Sequence, residues 1–334
     1  MERSDLARAM AAIVVVAWLL PSCGGEELPL TLPDEQPTGP EGCMPGEAPL
    51  ENGSCLPAGI PPEACADGFV STGNGGCMPQ LPNAPCGPGQ MAVPGETTCH
   101  SVAPCPEGTW GDIAIEATTQ FVDASFSGTS DGTQSSPWQT IGEAITAAAP
   151  GAIVAVAAGT YDEDVEIHGK PVRLWGRCPG LVQVKGIGGL AAVLIRNGAD
   201  GAQVRGLAVT GPMTGITMTG AGGIVVDQVW VHDTGTAGFF AAHDLGPSDA
   251  LLSRSLIERA GDFGIIVRGT ILTVDASVVR DGQPGGQSGD GGGIGVHYDA
   301  VAQQRGAVTV LRSLLERNRQ FGAAVSRGIR LQRP

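Results

Sequence analysis

The chain has 334 residues, a formal net charge of −15, and Lys170 and Lys185 as its only lysines. That balance excludes the clustered cations needed to bind nucleic acid or an anionic membrane surface. Fifty-two glycines against two tyrosines point to many tight turns and few aromatic platforms.

The chain opens with Arg3 and Arg8 and an apolar run, Ala11–Leu20 (AAIVVVAWLL), followed by Pro21-Ser22-Cys23. Ten apolar residues are too few to span a bilayer and match the core of an export signal. An apolar run, a small residue and then cysteine resembles the lipobox of bacterial lipoproteins. The resemblance implies that residues 1–22 are a signal peptide removed before Cys23, and that Cys23 is acylated and anchors the protein to membrane lipid. Gly24 stands where an aspartate would resemble an inner-membrane retention signal, so the expected address is the outer membrane or cell surface. Residues 23–42, rich in Pro, Glu and Gly, have too little apolar surface to fold and read as a flexible tether.

If Cys23 carries lipid, eight of the nine cysteines remain, an even number suited to disulfides in an exported chain. Seven of them fall within residues 43–111, a polar stretch punctuated by Pro-Gly, Asn-Gly and Gly-Asn turns and devoid of helical or strand period. Cys43, Cys65, Cys86 and Cys105 recur at intervals of about 20 residues, and Cys55, Cys77 and Cys99 each follow one of the first three. A segment without a core must be stapled. The spacing favours local loops Cys43–Cys55, Cys65–Cys77 and Cys86–Cys99, with Cys105 bridging to Cys178; other pairings stay open on sequence grounds.

Residues 112–334 carry a longer repeat. Apolar pairs Ala202/Val204, Ile224/Val226, Ala250/Leu252, Leu272/Val274 and Val308/Val310 each alternate with outward residues, and a second pair follows three residues on: Leu207/Val209, Val229/Val231, Ser255/Ile257, Ser277/Val279 and Ser313/Leu315. A third strand begins with glycine and an apolar residue at Gly215, Gly238, Gly264, Gly293 and Gly322. Three period-two strands per repeat of about 22 residues predict an all-β fold, a parallel β-helix whose coils stack about 4.8 Å apart. Gln283–Gly292 and Tyr298–Gly306 read as corner insertions. Residues 328–334 show no amphipathic cap, so the expectation there is a truncated product or an end that docks on a partner.

The start of this region has its own signature: Phe121-Val122-Asp123, a Gly/Ser/Asp loop, Pro137-Trp138-Gln139-Thr140-Ile141-Gly142-Glu143-Ala144-Ile145, then Val154–Tyr161 with its Ala-Gly-Thr-Tyr ending. It resembles the pectin-lyase-like, right-handed β-helix superfamily, in particular its bacterial cell-surface members. The resemblance implies a right-handed solenoid plugged at its N-terminal end by a short helix, here about residues 138–148. The superfamily includes lyases, hydrolases, epimerases and adhesins, so the fold does not choose an activity. The Asn-Thr-Asp, Asp-Asp and Gly-His-Gly strings of its polygalacturonases and the Asp-Pro-His-Asp of related epimerases do not occur in this chain.

The remaining catalytic candidates are His232, Asp233, His297, Asp299 and Asp290, since a histidine beside a carboxylate can exchange protons with substrate. A structural account competes for the first two: Asp233, Arg259, Asp281 and Arg317 fall on successive coils with alternating sign, as do His232, Glu258, Arg280 and Glu316, and such ladders set register. Ala208, Trp230, Leu256, Val278 and Leu314 form an outward apolar stripe, to be covered by the cysteine-rich segment or used as a contact surface; Trp230 in it is a candidate sugar platform. Asp123 and Asp131 are candidate Ca²⁺ ligands in an oxygen-rich loop, with a capping turn as the plainer reading and no other cofactor expected. Together these features predict a surface lipoprotein whose β-helix binds extracellular polysaccharide or an envelope protein without catalysis. The alternative is a carbohydrate-active enzyme, a polysaccharide lyase, hydrolase or epimerase.

Overall fold

The computed structural model describes residues 47–49, 53–57, 64–72, 76–285 and 291–325. Cys23, Cys43 and Asp290 lie outside them. The chain folds as a right-handed parallel β-solenoid of about six turns with almost no helix. Period-two strands force this outcome: each coil buries its alternate residues in the lumen, and its backbone amides pair with the coils on either side. The first sheet runs from Gln120–Val122 through Ile153–Val156 to Ala307–Leu311, the second from Gly159–Asp162 to Leu314–Glu316, and the third from Val165–Ile167 to Ala323–Val325. The apolar pairs stack in register, Val204 on Val226, Val226 on Leu252, Leu252 on Val274 and Val274 on Val310. All but Val310, which is exposed on the last strand of the sheet although the sequence pattern places it inward, feed one continuous core.

Polar groups enter that lumen in one column. Ser255 Oγ accepts from Val229 N at 3.1 Å, Ser277 Oγ from Ser255 N at 3.1 Å, and Ser313 Oγ from Ser277 N at 3.0 Å. The serines thus lie inside the corner between the first and second sheets, each linking its coil to the one before. The glycines that open the third-sheet strands are required by space. A Cβ on Gly264 would stand 2.2 Å from Val279 Cγ1, and one on Gly238 2.4 Å from Ile257 Cγ2. The branched side chains of the second sheet fill the volume that the glycines leave.

The plug is helix α1, Ile141–Ala147, beginning three residues later than the sequence suggests. Trp138 instead bridges to Val122 and donates from Nε1 to Gln120 Oε1 at 2.9 Å, which holds it in extended chain. Thr140 and Glu143 form a capping box, and Ile141, Ala144 and Ile145 face the core. The first coil secures both helix ends: Glu163 accepts from the amides of Ile141 and Gly142 at 2.8 and 2.9 Å, and Lys170 Nζ donates to the carbonyls of Thr146 and Ala148. Those charges complement the helix dipole.

The cysteine-rich segment consists of small hairpins, Phe69–Ser71 with Cys77–Pro79 and Gln90–Met91 with His100–Ser101. Disulfides Cys65–Cys77 and Cys86–Cys99 close loops around them, and Cys105–Cys178 ties the segment to the solenoid. Cys55 is also disulfide-bonded.

Candidate functional site

Four coils carry the chemistry, and aligning them shows a two-coil repeat. Residues 227–233 read DQVWVHD, 253–259 SRSLIER, 275–281 DASVVRD and 311–317 LRSLLER. Acidic and basic coils therefore alternate at both corners of the second sheet. Asp233 accepts from Arg259 Nε and Nη2 at 2.7 and 2.8 Å, and Asp281 from Arg317 at 2.9 and 3.0 Å. At the other corner Asp227 pairs with Arg254, and Asp275 with Arg312, again through two nitrogens each. These second couplets escape a reading confined to one column; the signal for them was the same 26-to-37-residue spacing.

The corners also explain the unusual backbone. Gln228, Arg254, Ala276 and Arg312 at one corner, and Asp233, Arg259, Asp281 and Arg317 at the other, all have φ between 45° and 55°. Non-glycine residues adopt this left-handed conformation only when their surroundings compel it. Here the compulsion is the ladder: Arg259 N donates to Arg280 O at 3.2 Å, and Asp281 N to Glu316 O at 3.3 Å. The couplets differ from a uniform charge column in one respect. Arg259 turns to Asp233 and to its own neighbour Glu258 at 2.7 Å, and Arg317 turns likewise to Asp281 and Glu316. The Asp233–Arg259 and Asp281–Arg317 salt bridges therefore form within coil pairs, whereas Glu258–Arg280 joins one pair to the next.

The middle of the inner column is buried. Glu258 and Arg280 are 1 % and 2 % exposed and share two hydrogen bonds, at 2.6 and 3.0 Å. The cysteine-rich segment covers them: Gly89 N donates to Glu258 Oε1 at 3.1 Å, and Arg280 Nη2 donates to Gly87 O at 2.8 Å. The apolar stripe lies under the same cover, with Leu256 and Val278 packed against Met91 and Val102. Burial pushes the Glu258 carboxyl up, but its hydrogen bonds to Arg280, Arg259 and Gly89 outweigh this and hold it below the usual range.

Trp230 belongs to this interface and not to an open sugar platform. Its Nε1 donates to Glu258 at 3.0 Å, His232 stacks on it at 3.9 Å, and Gly89 is so close that an added Cβ would stand 3.3 Å from the ring. His232 in turn contacts Asp233 Oδ2 through Nδ1 at 2.7 Å. Arg259 foremost, with His232 beside it, brings the Asp233 pKa down to about 2. A carboxylate so held is a poor proton acceptor at neutral pH.

His297 and Asp299 sit further along the third sheet on Gly292–Asp299. Asp299 Oδ1 accepts from the amides of Val301 and Ala302, both at 2.9 Å, and so builds the turn into the antiparallel pair with Gln304–Arg305. Burial first, then Arg268, lowers the His297 pKa and favours neutral imidazole. Asp123 and Asp131 each accept from a residue two positions on, Ser125 and Thr133, through both its amide and its hydroxyl. These are capping turns. Among the described residues no group of three or more His, Cys, Asp or Glu could hold a metal ion.

A cleft of about 270 Å³ opens on the first sheet between Trp175, Arg177 and Arg205 and the chain around Pro104–Ala114. Arg173 and Arg205 stack on the Trp175 ring at 5.4 and 5.7 Å. Arg177 Nε donates to Pro106 O at 2.9 Å, and the nearby Cys105–Cys178 bridge fixes this wall.

Residues 125–174 match a family model described as a protein of unknown function (DUF1565). No curated protein sequence matches the chain. Among solved structures, a pectin methylesterase variant in complex with a hexasaccharide is 14% identical, with a TM-score of 0.44, covering 58% of this chain and 65% of that one. A pectate lyase is 12% identical, with a TM-score of 0.43, covering 58% and 62%. The pectin methylesterase from Aspergillus niger is 15% identical, with a TM-score of 0.38, covering 64% and 82%. The chain thus spans just under two thirds of the first two structures.

Proposed function

We propose that this chain is an exported lipoprotein, anchored through Cys23 to the outer membrane or cell surface, whose solenoid binds extracellular glycan or another envelope component without catalysis. The observation that supports a non-catalytic role is the commitment of its aligned carboxylates. Asp227, Asp233, Asp275 and Asp281 each face a guanidinium in two-point contact, and Glu258 is sealed beneath the cysteine-rich segment. Acid–base work needs a carboxyl or imidazole free to exchange a proton near neutral pH; the couplets commit these carboxylates, and His232 Nε2 is buried away from solvent. The export and anchor half of the reading rests on the apolar run and Cys23.

Two measurements test it. Intact mass of the envelope-extracted protein should give a species beginning at Cys23, carrying acyl chains and lacking the protons of its disulfides; an unlipidated species would sink the anchor. Incubation with envelope and plant polysaccharides should give retention without new unsaturated or reducing ends. The second reading, a carbohydrate-active enzyme, draws on His297, which is half-buried and favoured in the neutral, basic form. It requires product formation that disappears in His297→Ala.

A further inference from the structure

The strands of the cysteine-rich segment pair only with one another. Phe69–Ser71 joins Cys77–Pro79 and Gln90–Met91 joins His100–Ser101, and among the described residues neither hairpin adds a strand to a solenoid sheet. The segment therefore rests on the second sheet through side chains and isolated hydrogen bonds: Met91 and Val102 on Leu256 and Val278, Gly89 N on Glu258, and Arg280 on Gly87 O. Such a cover can leave without opening a sheet. The surface beneath it is complete in its backbone, because Trp230, Leu256 and Val278 belong to ladders that run from coil to coil. Lifting the cover also returns water to Glu258 and Arg280, which relieves the desolvation that the closed state imposes on them.

Two further features make the cover a unit on a hinge. Cys65–Cys77 and Cys86–Cys99 close its loops internally, at separations of 12 and 13 residues, so they stay closed whether or not it touches the solenoid. Beyond it the chain is fastened down: Arg177 Nε donates to Pro106 O at 2.9 Å, Trp110 meets Phe121 edge-on at 4.9 Å, and Arg173 grips Glu116 through two nitrogens. Between cover and anchor stands Pro104-Cys105-Pro106, where the Cys105–Cys178 bridge ties the hinge to the solenoid. That bridge spans 73 residues, so cutting it frees far more chain than cutting either hairpin bridge. Its two sulfurs differ in access. Cys178 is fully buried and Cys105 is exposed, whereas the four cysteines of the hairpin bridges are all half-buried.

We infer that Cys105–Cys178 is a redox latch on this cover: a dithiol reductant opens it ahead of the hairpin bridges, and the cover then lifts from the second sheet about residues 104–106. A reductant thiolate attacks the exposed Cys105 sulfur, the S–S bond breaks, and Cys178 leaves as a thiolate that takes up a proton. The second thiol of the reductant attacks the mixed disulfide, releasing the Cys105 thiol and closing the reductant's own disulfide. Two electrons and two protons pass to the protein, and the reverse exchange with an oxidised dithiol relatches it. Access selects the sulfur attacked, and a thiol in an apolar interior stays protonated and inert, so Cys105 carries the exchange in both directions.

Graded dithiothreitol treatment of the full oxidised chain, quenched by alkylation in denaturant and mapped by peptide mass, tests the latch. Cys105 and Cys178 should be labelled about tenfold faster than Cys65, Cys77, Cys86 and Cys99, since access sets the order. Fluorescence of an apolar dye should rise in step with that labelling and fall again on addition of oxidised dithiothreitol, with β-structure retained by circular dichroism. The Cys105→Ser, Cys178→Ser variant should bind dye without reductant and respond no further while the hairpin bridges remain. Hairpin bridges that open first, or together with Cys105–Cys178, overturn the latch. Selective reduction with unchanged dye binding overturns the hinged cover, and a dye signal that tracks loss of β-structure reports unfolding and overturns it too. Should the double variant fail to fold, reduction of the parent chain decides alone.

Discussion

The second and third sheets come from the same coils and the same period-two alternation, yet their outer faces end differently. On the second sheet the outward column runs Ala208, Trp230, Leu256, Val278, Leu314, and the cysteine-rich segment roofs it until Leu256 and Val278 are fully buried. On the third sheet the corresponding column runs Leu194, Thr217, Phe240, Ile266, with Leu194, Phe240 and Ile266 only half-buried. The roofed face is also the one flanked by acid–base couplets at both corners. Apolar stripes alone therefore do not specify where a cover docks. The roofed face adds a buried ion pair, Glu258–Arg280, whose free hydrogen-bonding capacity is completed by Gly87 and Gly89 of the cover. A cover that docked out of register would leave two charges buried without those partners, and that penalty fixes its position.

Removing one member of that pair should have the largest effect. Glu258→Ala leaves Arg280 buried and uncompensated, and is expected to cost about 3–5 kcal/mol, read as a fall in the urea midpoint. Replacing both, Glu258→Met with Arg280→Met, should recover most of the loss. If the single and double variants are equally unstable, the pair does not hold the roof. Next comes Cys105→Ser with Cys178→Ser. The bridge joins positions 73 residues apart, and its loss should cost about 2–4 kcal/mol. If the roof lifts, binding of an apolar dye should rise as Leu256 and Val278 meet water. The same double serine change should leave dye binding at the third sheet untouched.

How much of this could be read beforehand differs between the layers of the fold. The lumen was legible because a two-residue period admits one inward set, and the glycines before Ile216, Phe239 and Ile265 marked the positions where second-sheet branches intrude. The Asp233–Arg259 and Asp281–Arg317 couplets were legible for the same reason: parallel stacking turns sequence spacing into contact. Burial of the inner column was not. In the sequence Glu258 and Arg280 are only rungs of a charge ladder, and nothing local to Gly87 or Gly89 says that either will roof an ion pair 169 or 193 residues away. The Trp175 cleft was missed because its two walls come from different layers, and neither Arg177 nor Arg205 belongs to a motif. Helix α1 was misplaced at its start because Trp138 fits a helical apolar pattern equally well, and only the acceptor on Gln120 decides against it.

Smaller effects separate the lumen from the corners. Gly264→Ala should overpack the solenoid, since the new methyl would stand 2.2 Å from Val279 and 2.9 Å from the Gly293 carbonyl; a cost of about 1–3 kcal/mol is expected. Gly151→Ala makes a useful contrast, because nothing lies within 4 Å and only its φ of 80° resists the change. A lower Tm for Gly264→Ala than for Gly151→Ala would place the strain in packing; the reverse order would place it in the backbone.

The corner couplets should be the weakest of all. Asp233 is more than half exposed, so solvent screens its attraction to Arg259 and the pair is worth under about 1 kcal/mol. Its folded pKa, about 2, lies below the ordinary aspartate value of 3.8. A carboxyl depressed in this way stabilises the fold fully above its unfolded pKa and loses that contribution as pH falls through its folded value. The difference in stability between the parent and Asp233→Asn should therefore be small and constant from pH 7 to about pH 4, then shrink toward zero by about pH 2. High salt should shrink it as well, whereas the Glu258→Ala penalty, buried beneath Gly87 and Gly89, should barely respond to salt. A salt-insensitive Asp233 effect of several kcal/mol would mean that the corners, not the roof, hold the coils in register.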